Sequence, residues 1–392
     1  MTDRHPAAHH PPARAAAGPA ARLARLAAVL LLAVAAACAG GDADPQWRSW
    51  SDMTPQQVLA TQLLLQGTVR GRDDIVVLAV GGGADLEARE PESGQTALMI
   101  AAREGHAEIA VILLAAGADP DAIDRDGRTA LMQAAAHGYA GVADVLLAGG
   151  ADAERRDPRF GYTPLMMAAL LGHVDVIAAL MDGGADGEAA SAAEDAGEGA
   201  TPLILAAGSA APAAPQAVAE LLVRGVAAGR ARSDGVDALM AATVAGNAGV
   251  AGLLLGEGAD PSSRAADGAT ALGLAAAAGD DGLVDLLLEA GADPDGRAGD
   301  GRTPLMLAAW HGRTGAAARL LTGGADVDAI AERNGWTALM LAANRGNEDM
   351  VRLLLDAGAD SSITARDGMT ARRAAEIVDS DSVASLLPET GG

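Results

Sequence analysis

A Gly-Ala-Asp triplet returns through this chain at a nearly fixed interval, and that interval dictates what it can fold into. The aspartate falls at Asp85, Asp119, Asp152, Asp186, Asp260, Asp293, Asp326 and Asp360. The steps are 33 or 34 residues, apart from one of 74 that spans two units with a degraded copy, Gly225-Val226-Ala227, between them. A second marker stands 23 residues before the aspartate, as in Thr96-Ala97-Leu98-Met99. It recurs at Thr129, Thr163, Thr270, Thr303 and Thr337, with Thr201 and Asp237 filling the gap. Two markers that hold phase over most of the chain identify a linear array of small units, not two or three separate globules.

Each position in the unit has a physical job. The threonine is a helix N-cap whose hydroxyl accepts an orphan backbone N–H, and Ala or Pro follows at the first helical position. Leu98, Ala101 and Ala102 recur at helical spacing and face inward. Gly105 stops this first helix in a left-handed conformation. A second helix, Ala107–Ala116, carries Ile109, Leu113 and Leu114 inward and ends at Gly117. From Asp119 a polar, hairpin-like loop runs through Asp126-Gly127 to the next threonine. Helices this short are unstable alone in water, so each unit must be covered by its neighbours. The composition agrees: half the residues are hydrophobic but only seven are aromatic. Ala, Leu and Val fill thin layers better than one thick core.

This pattern resembles the ankyrin repeat family, whose unit reads DGxTPLHxAAxxGHxxVVxLLLxxGAD. The resemblance covers roughly residues 62–387 and implies an all-α solenoid of helix-turn-helix-hairpin units. The main departure is Met99, Met132, Met166, Met240, Met306 and Met340 where the family usually has His. In the family that His ties the hairpin to its neighbour, so packing is expected to replace polar ties here. His106 and His173 fall at the family's Gly-His helix turn, a structural position.

The expected organisation is a signal peptide with a long n-region (1–37), a tether (38–53) and an N-terminal capping repeat (54–90). Eight repeats (91–366) follow, then a C-terminal capping repeat and tail (367–392). Thr54-Pro55-Gln56-Gln57 reads as a capping box. Arg372 stands where the last unit should have Leu. The fourth unit has lost its Gly-Ala-Asp and carries insertions near 187–199 and 208–216. It reads as a hinge, with a partner-specific finger as the alternative.

Residues 26–37 (LAAVLLLAVAAA) follow Arg22 and Arg25 and have the length of a secretory h-region, too short to span a membrane. The segment AAAC-AGG resembles a bacterial lipobox, which implies acylation of Cys38. Ala35 departs from the Leu usual there, and ordinary export with Cys38 incidental is the alternative. The expected location is periplasmic or envelope-facing, attached to the membrane only by a lipid at Cys38. The final LPETGG matches a sortase pattern without the apolar segment and basic tail such a signal needs.

The chemistry is mostly negative. The net charge is −24, and all 28 basic residues are Arg. A nucleic-acid partner would be repelled, and without Lys there is neither a Walker loop nor a Schiff base. One cysteine excludes an internal disulfide. Methionines spaced one per unit, roughly 8–10 Å apart, are too far apart to share Cu(I). The acidic loops lack the EF-hand spacing. No cofactor, metal or catalytic residue is expected, and the chain is expected to be a monomer.

By the ankyrin resemblance, partners bind the concave groove at positions one and three before each cap and seven and eight after it. In the third unit these positions hold Phe160, Tyr162, Leu170 and Leu171. The seventh gives Arg302, Trp310 and His311, and the eighth Asn334, Trp336, Asn344 and Arg345. Four of the array's five aromatics land on this set, and Tyr139 is the exception. Large aromatics at otherwise polar surface positions are the usual make-up of a hot spot. Local hydrophobic plugs under each hairpin are the competing explanation. The expected function is an envelope scaffold for a protein partner, the alternative being a metal-handling protein or enzyme accessory factor.

Overall fold

The computed structural model describes residues 53–192 and 199–388. Among them lie 20 helices and no strand, apart from one isolated bridge between Ala231 and Asp237. The helices pair into ten antiparallel units, each packed on the next, with the core running between the layers. No helix among the described residues is long and apolar enough to cross a membrane. Cys38, Trp47, Trp50 and the LPETGG tail beyond Pro388 lie outside the described residues, as does 193–198 of the long middle loop.

The caps behave as their chemistry requires. Thr96 Oγ1 accepts from the Met99 N–H at 3.4 Å, and Thr129, Thr163, Thr303 and Thr337 repeat this with the methionine three residues on. Asp237 substitutes fully, accepting from Met240 N–H at 2.8 Å. The methionines are buried throughout, Met306 at 0% exposure. Gly105 ends its helix at φ 80°, and a Cβ there would lie 2.6 Å from the Tyr139 ring. The position is therefore closed twice, by backbone conformation and by the neighbour resting on it. At several junctions the residue that opens the second helix lies over the preceding unit in this way. His173 Nε2 is 3.2 Å from the Ala136 carbonyl, and Arg313 Nε donates to the Ala277 carbonyl. The structural role expected for His106 and His173 is thereby explained.

Packing does not replace every polar tie, contrary to expectation. Two ladders connect the hairpins. In the first, the acid two residues beyond Gly-Ala-Asp accepts the N–H of the next unit's aspartate. Glu87 accepts from Asp119 at 2.8 Å, Asp121 from Asp152 at 2.9 Å, and Asp328 from Asp360 at 2.8 Å. In the second, an arginine four residues beyond the aspartate bridges two carbonyls. Arg297 Nη1 donates to Gly301 at 3.0 Å in its own hairpin and to Ile330 at 2.7 Å in the next. Arg156 does the same to Gly161 and Ala190, and Arg89 to Gly94 and Ile123.

The fourth unit is short in its first helix, Pro202–Ala207, yet tied to the third. Ser209 Oγ donates to the Leu170 carbonyl at 2.6 Å, Arg224 forks onto Asp182, and the Ala227 N–H reaches Glu188 at 2.6 Å. At the start, Thr54 and Gln57 form the expected capping box. At the end, Arg372 binds Glu376 and caps the Ala384 and Leu387 carbonyls. That explains an arginine at a leucine position: the last layer has polar helix ends to satisfy.

Candidate protein-binding groove

Trp310 comes near the end of the seventh unit's first helix, Pro304–His311, and Trp336 immediately precedes the Thr337 cap of the eighth. The stacking of consecutive units brings both onto one cleft of about 210 Å³, whose lining also includes Asp300, Arg302, Arg333 and Asn334. Leu341 and Ala331 complete it. The Arg345 guanidinium carbon sits 4.4 Å from the Trp310 ring centroid, and its Nε donates to the Trp310 carbonyl at 3.1 Å. That geometry combines a cation–π contact with a fixed arginine head. Trp336 Nε1 donates to Asp367 Oδ2 at 3.4 Å across to the next hairpin.

Both indoles are partly buried, packed against the edge of the core. They are therefore not the freely projecting anchors that their surface positions suggest. Asn334, Arg345 and His311 are exposed, and Asn344 and Arg302 half-buried. Arg302 is engaged by Asp300, Nε to Oδ2 at 2.6 Å, and the guanidinium hydrogen bond holds the Asp300 carboxyl below its usual range. The His311 imidazole is held below its ordinary value by burial first, then by repulsion from Arg313, Arg302 and Arg345.

The third unit is built differently. Phe160 and Tyr162 stack at 5.4 Å between centroids, and Arg159 covers Phe160 at 4.7 Å. The buried Asp157 carboxylate gathers this hairpin, accepting from the Arg159, Phe160 and Tyr162 N–H groups, the last at 2.7 Å. Burial pushes the Tyr162 phenol up. Leu170 and Leu171, at the end of the same unit's first helix, are exposed. Units four to six separate this patch from the tryptophan cleft, so the sequence-derived set forms two groups rather than one.

Sequence reasoning named Arg302 but passed over Asp300 and Arg333, although Asp300 occupies one of the positions it used. It also missed Val244, Ile377 and Val378, which fall seven or eight residues after the Asp237 and Thr370 caps. Val244 is 73% exposed and Ile377 63%. Applying the spacing to every unit, not only to the aromatic ones, would have found them. Among the described residues, no three His, Cys, Asp or Glu side chains are grouped to hold a metal ion.

Comparison with known families agrees with the architecture. The model for ankyrin repeats in three copies matches residues 64–157, 209–297, 239–331, 272–367 and 305–390, and the single ankyrin repeat model matches 160–191. No curated protein matches the chain.

Proposed function

Since the chain belongs to the ankyrin repeat family, and is thus a protein–protein interaction scaffold, we propose that it takes its partner in the concave groove. Trp310, Trp336 and Arg345 are the anchors. Ankyrin repeat proteins are typically non-catalytic, and the groove offers contact surface rather than a reacting group. The observation that carries the reading is the shared cleft, with two indoles from consecutive units and an arginine already oriented on one of them.

A tryptophan buries about 150–250 Å² in full. With about two thirds or more of that already covered, roughly 50–90 Å² at most remains for a partner, a gross gain of about 1–2 kcal/mol before association costs. Trp310→Ala should weaken binding about tenfold, or about 1.4 kcal/mol.

We further propose that the chain is exported and held at the envelope by a lipid on Cys38, which would place the groove before envelope partners. The apolar run at 26–37 and the small residues ahead of Cys38 support this reading. The test is affinity capture from native envelope on the wild-type chain and on Trp310→Ala and Arg345→Ala, with thermal melts of each. Loss of a specific partner with an unchanged melt for Arg345→Ala supports the site. Retained capture with a large drop in melting temperature makes the aromatics structural plugs.

A further inference from the structure

Resting on the reading that this cleft is the docking site, we propose that the partner segment it takes is acidic, presenting carboxylates beside one bulky apolar side chain. A net charge of −24 suggests that a partner selected by overall attraction would be basic. Around the cleft the local sign reverses.

Arg302 and Arg333 line it, Arg345 lies over Trp310, and Arg313 follows directly after the same helix, its Nε on the Ala277 carbonyl. Asp300 is ion-paired with Arg302, whereas Asp367 accepts the Trp336 N–H and keeps its negative charge. Glu332, on the same hairpin as Arg333, lies 3.9 Å from Arg297. Among the described residues Arg333, Arg345 and Arg313 make no ion pair, and these three charges outweigh the single unpaired carboxylate of Asp367, so the patch stays positive. Burial first, and then Arg313, Arg302 and Arg345, disfavour the charged form of His311 beside them. The positive charge of the patch rests on guanidinium groups, which do not titrate near pH 7.

The chemistry favours carboxylates over other anions. A guanidinium presents a planar fork that matches a carboxylate, and one already held on a ring or a carbonyl loses less freedom on binding. A long polyanion such as nucleic acid would meet the rest of the acidic chain. A short segment feels only charges within about 8 Å, the screening length at physiological salt. The indoles supply the apolar half of the recognition, and a cleft of about 210 Å³ has room for one large side chain. Rim charges of this kind act mainly on partner choice and association rate.

The test selects a phage-displayed random dodecapeptide library on the full chain and on two variants, Trp310→Ala and Arg333→Glu/Arg345→Glu, with melts to confirm that each is folded. Peptides enriched on the wild type should carry Asp and Glu around a Leu, Phe or Trp. Their affinity should fall at least tenfold in the double glutamate variant, and should weaken with added salt. Enriched peptides that are neutral or basic, yet need Trp310, would overturn the acidic partner while leaving the groove as the docking site. Enrichment indifferent to Trp310, or none, would overturn both readings. The purified chain should sediment as a monomer. A dimer that Trp310→Ala abolishes would give the cleft to a second copy and end the proposal.

Discussion

The acid ladder has two missing rungs, and they make a sharp test of how the hairpins are held. By register, the residue that should accept the Asp260 N–H is Gly229, and the one for Asp293 is Ser262. Gly229 has no side chain, and Ser262 makes no such bond. A Cβ at Gly229 meets nothing within 4 Å, and its φ is not in the positive range, so Gly229→Asp should fit without strain. The new carboxylate would stand 31 residues before its donor. Asp121 and Asp295 have that same separation, and bind at 2.9 and 3.0 Å. One such bond is worth about 1 kcal/mol net, and replacing glycine adds about 0.4–1 kcal/mol through the unfolded chain. Like-charge contact with Asp260 subtracts part of this, so the expected gain is about 1 kcal/mol. Gly229→Ala isolates the backbone share. Urea unfolding gives the stability, and hydrogen exchange at the Asp260 amide reports the bond itself. If the alanine and aspartate variants gain equally and the Asp260 amide stays unprotected, the ladder is a by-product of packing and the reasoning fails.

Four further outcomes follow. Arg297→Met keeps the stem but removes donors to Gly301 and Ile330, and should cost about 1–2 kcal/mol, the low end for charged donors because the group is partly exposed; faster exchange confined to the hairpins of units six to eight would confirm it. Burial raises the Asp295 carboxyl above its ordinary value, so its ionised form costs stability once pH exceeds the folded pKa, a cost absent below the unfolded value of 3.8. Asp295→Asn keeps the acceptor for Asp326 and should be neutral or stabilising at pH 7, whereas Asp295→Ala should lose about 1 kcal/mol; a clear loss for Asn in melts at pH 7 would refute this. Cys38→Ser should leave a soluble, slower-migrating precursor on membrane fractionation, and unchanged membrane association would defeat the lipid anchor.

Periodicity made the architecture readable because each signal was local. A threonine three residues before the methionine whose N–H it caps, or a glycine forced left-handed at a helix end, announces itself within one unit. What joins the units was less legible. Arg297 contacts Ile330, and Asp121 contacts Asp152; nothing local to either residue distinguishes it from an ordinary solvated charge. Only alignment of the units against one another reveals that an acid recurs two residues, and an arginine four residues, beyond the aspartate. The family's usual histidine also drew attention to its own replacement by Met and away from those other positions, where polar ties are made.

The groove was legible in its aromatics and obscure in its charge. Trp310 and Trp336 stand out in a chain with seven aromatics, so spacing alone nominated them. Their depth was not readable from spacing, because it depends on how the rings pack against the core margin. A partner therefore meets the exposed part of each ring, framed by groups fixed from several units, with Arg345 reaching back from the eighth unit to the seventh and Asp367 reaching Trp336 from the last. Such an arrangement exists only when three consecutive units are stacked. Damage to any hairpin between Thr303 and Thr370 should therefore loosen the cleft before it unfolds the array, because units in a solenoid depend on their immediate neighbours.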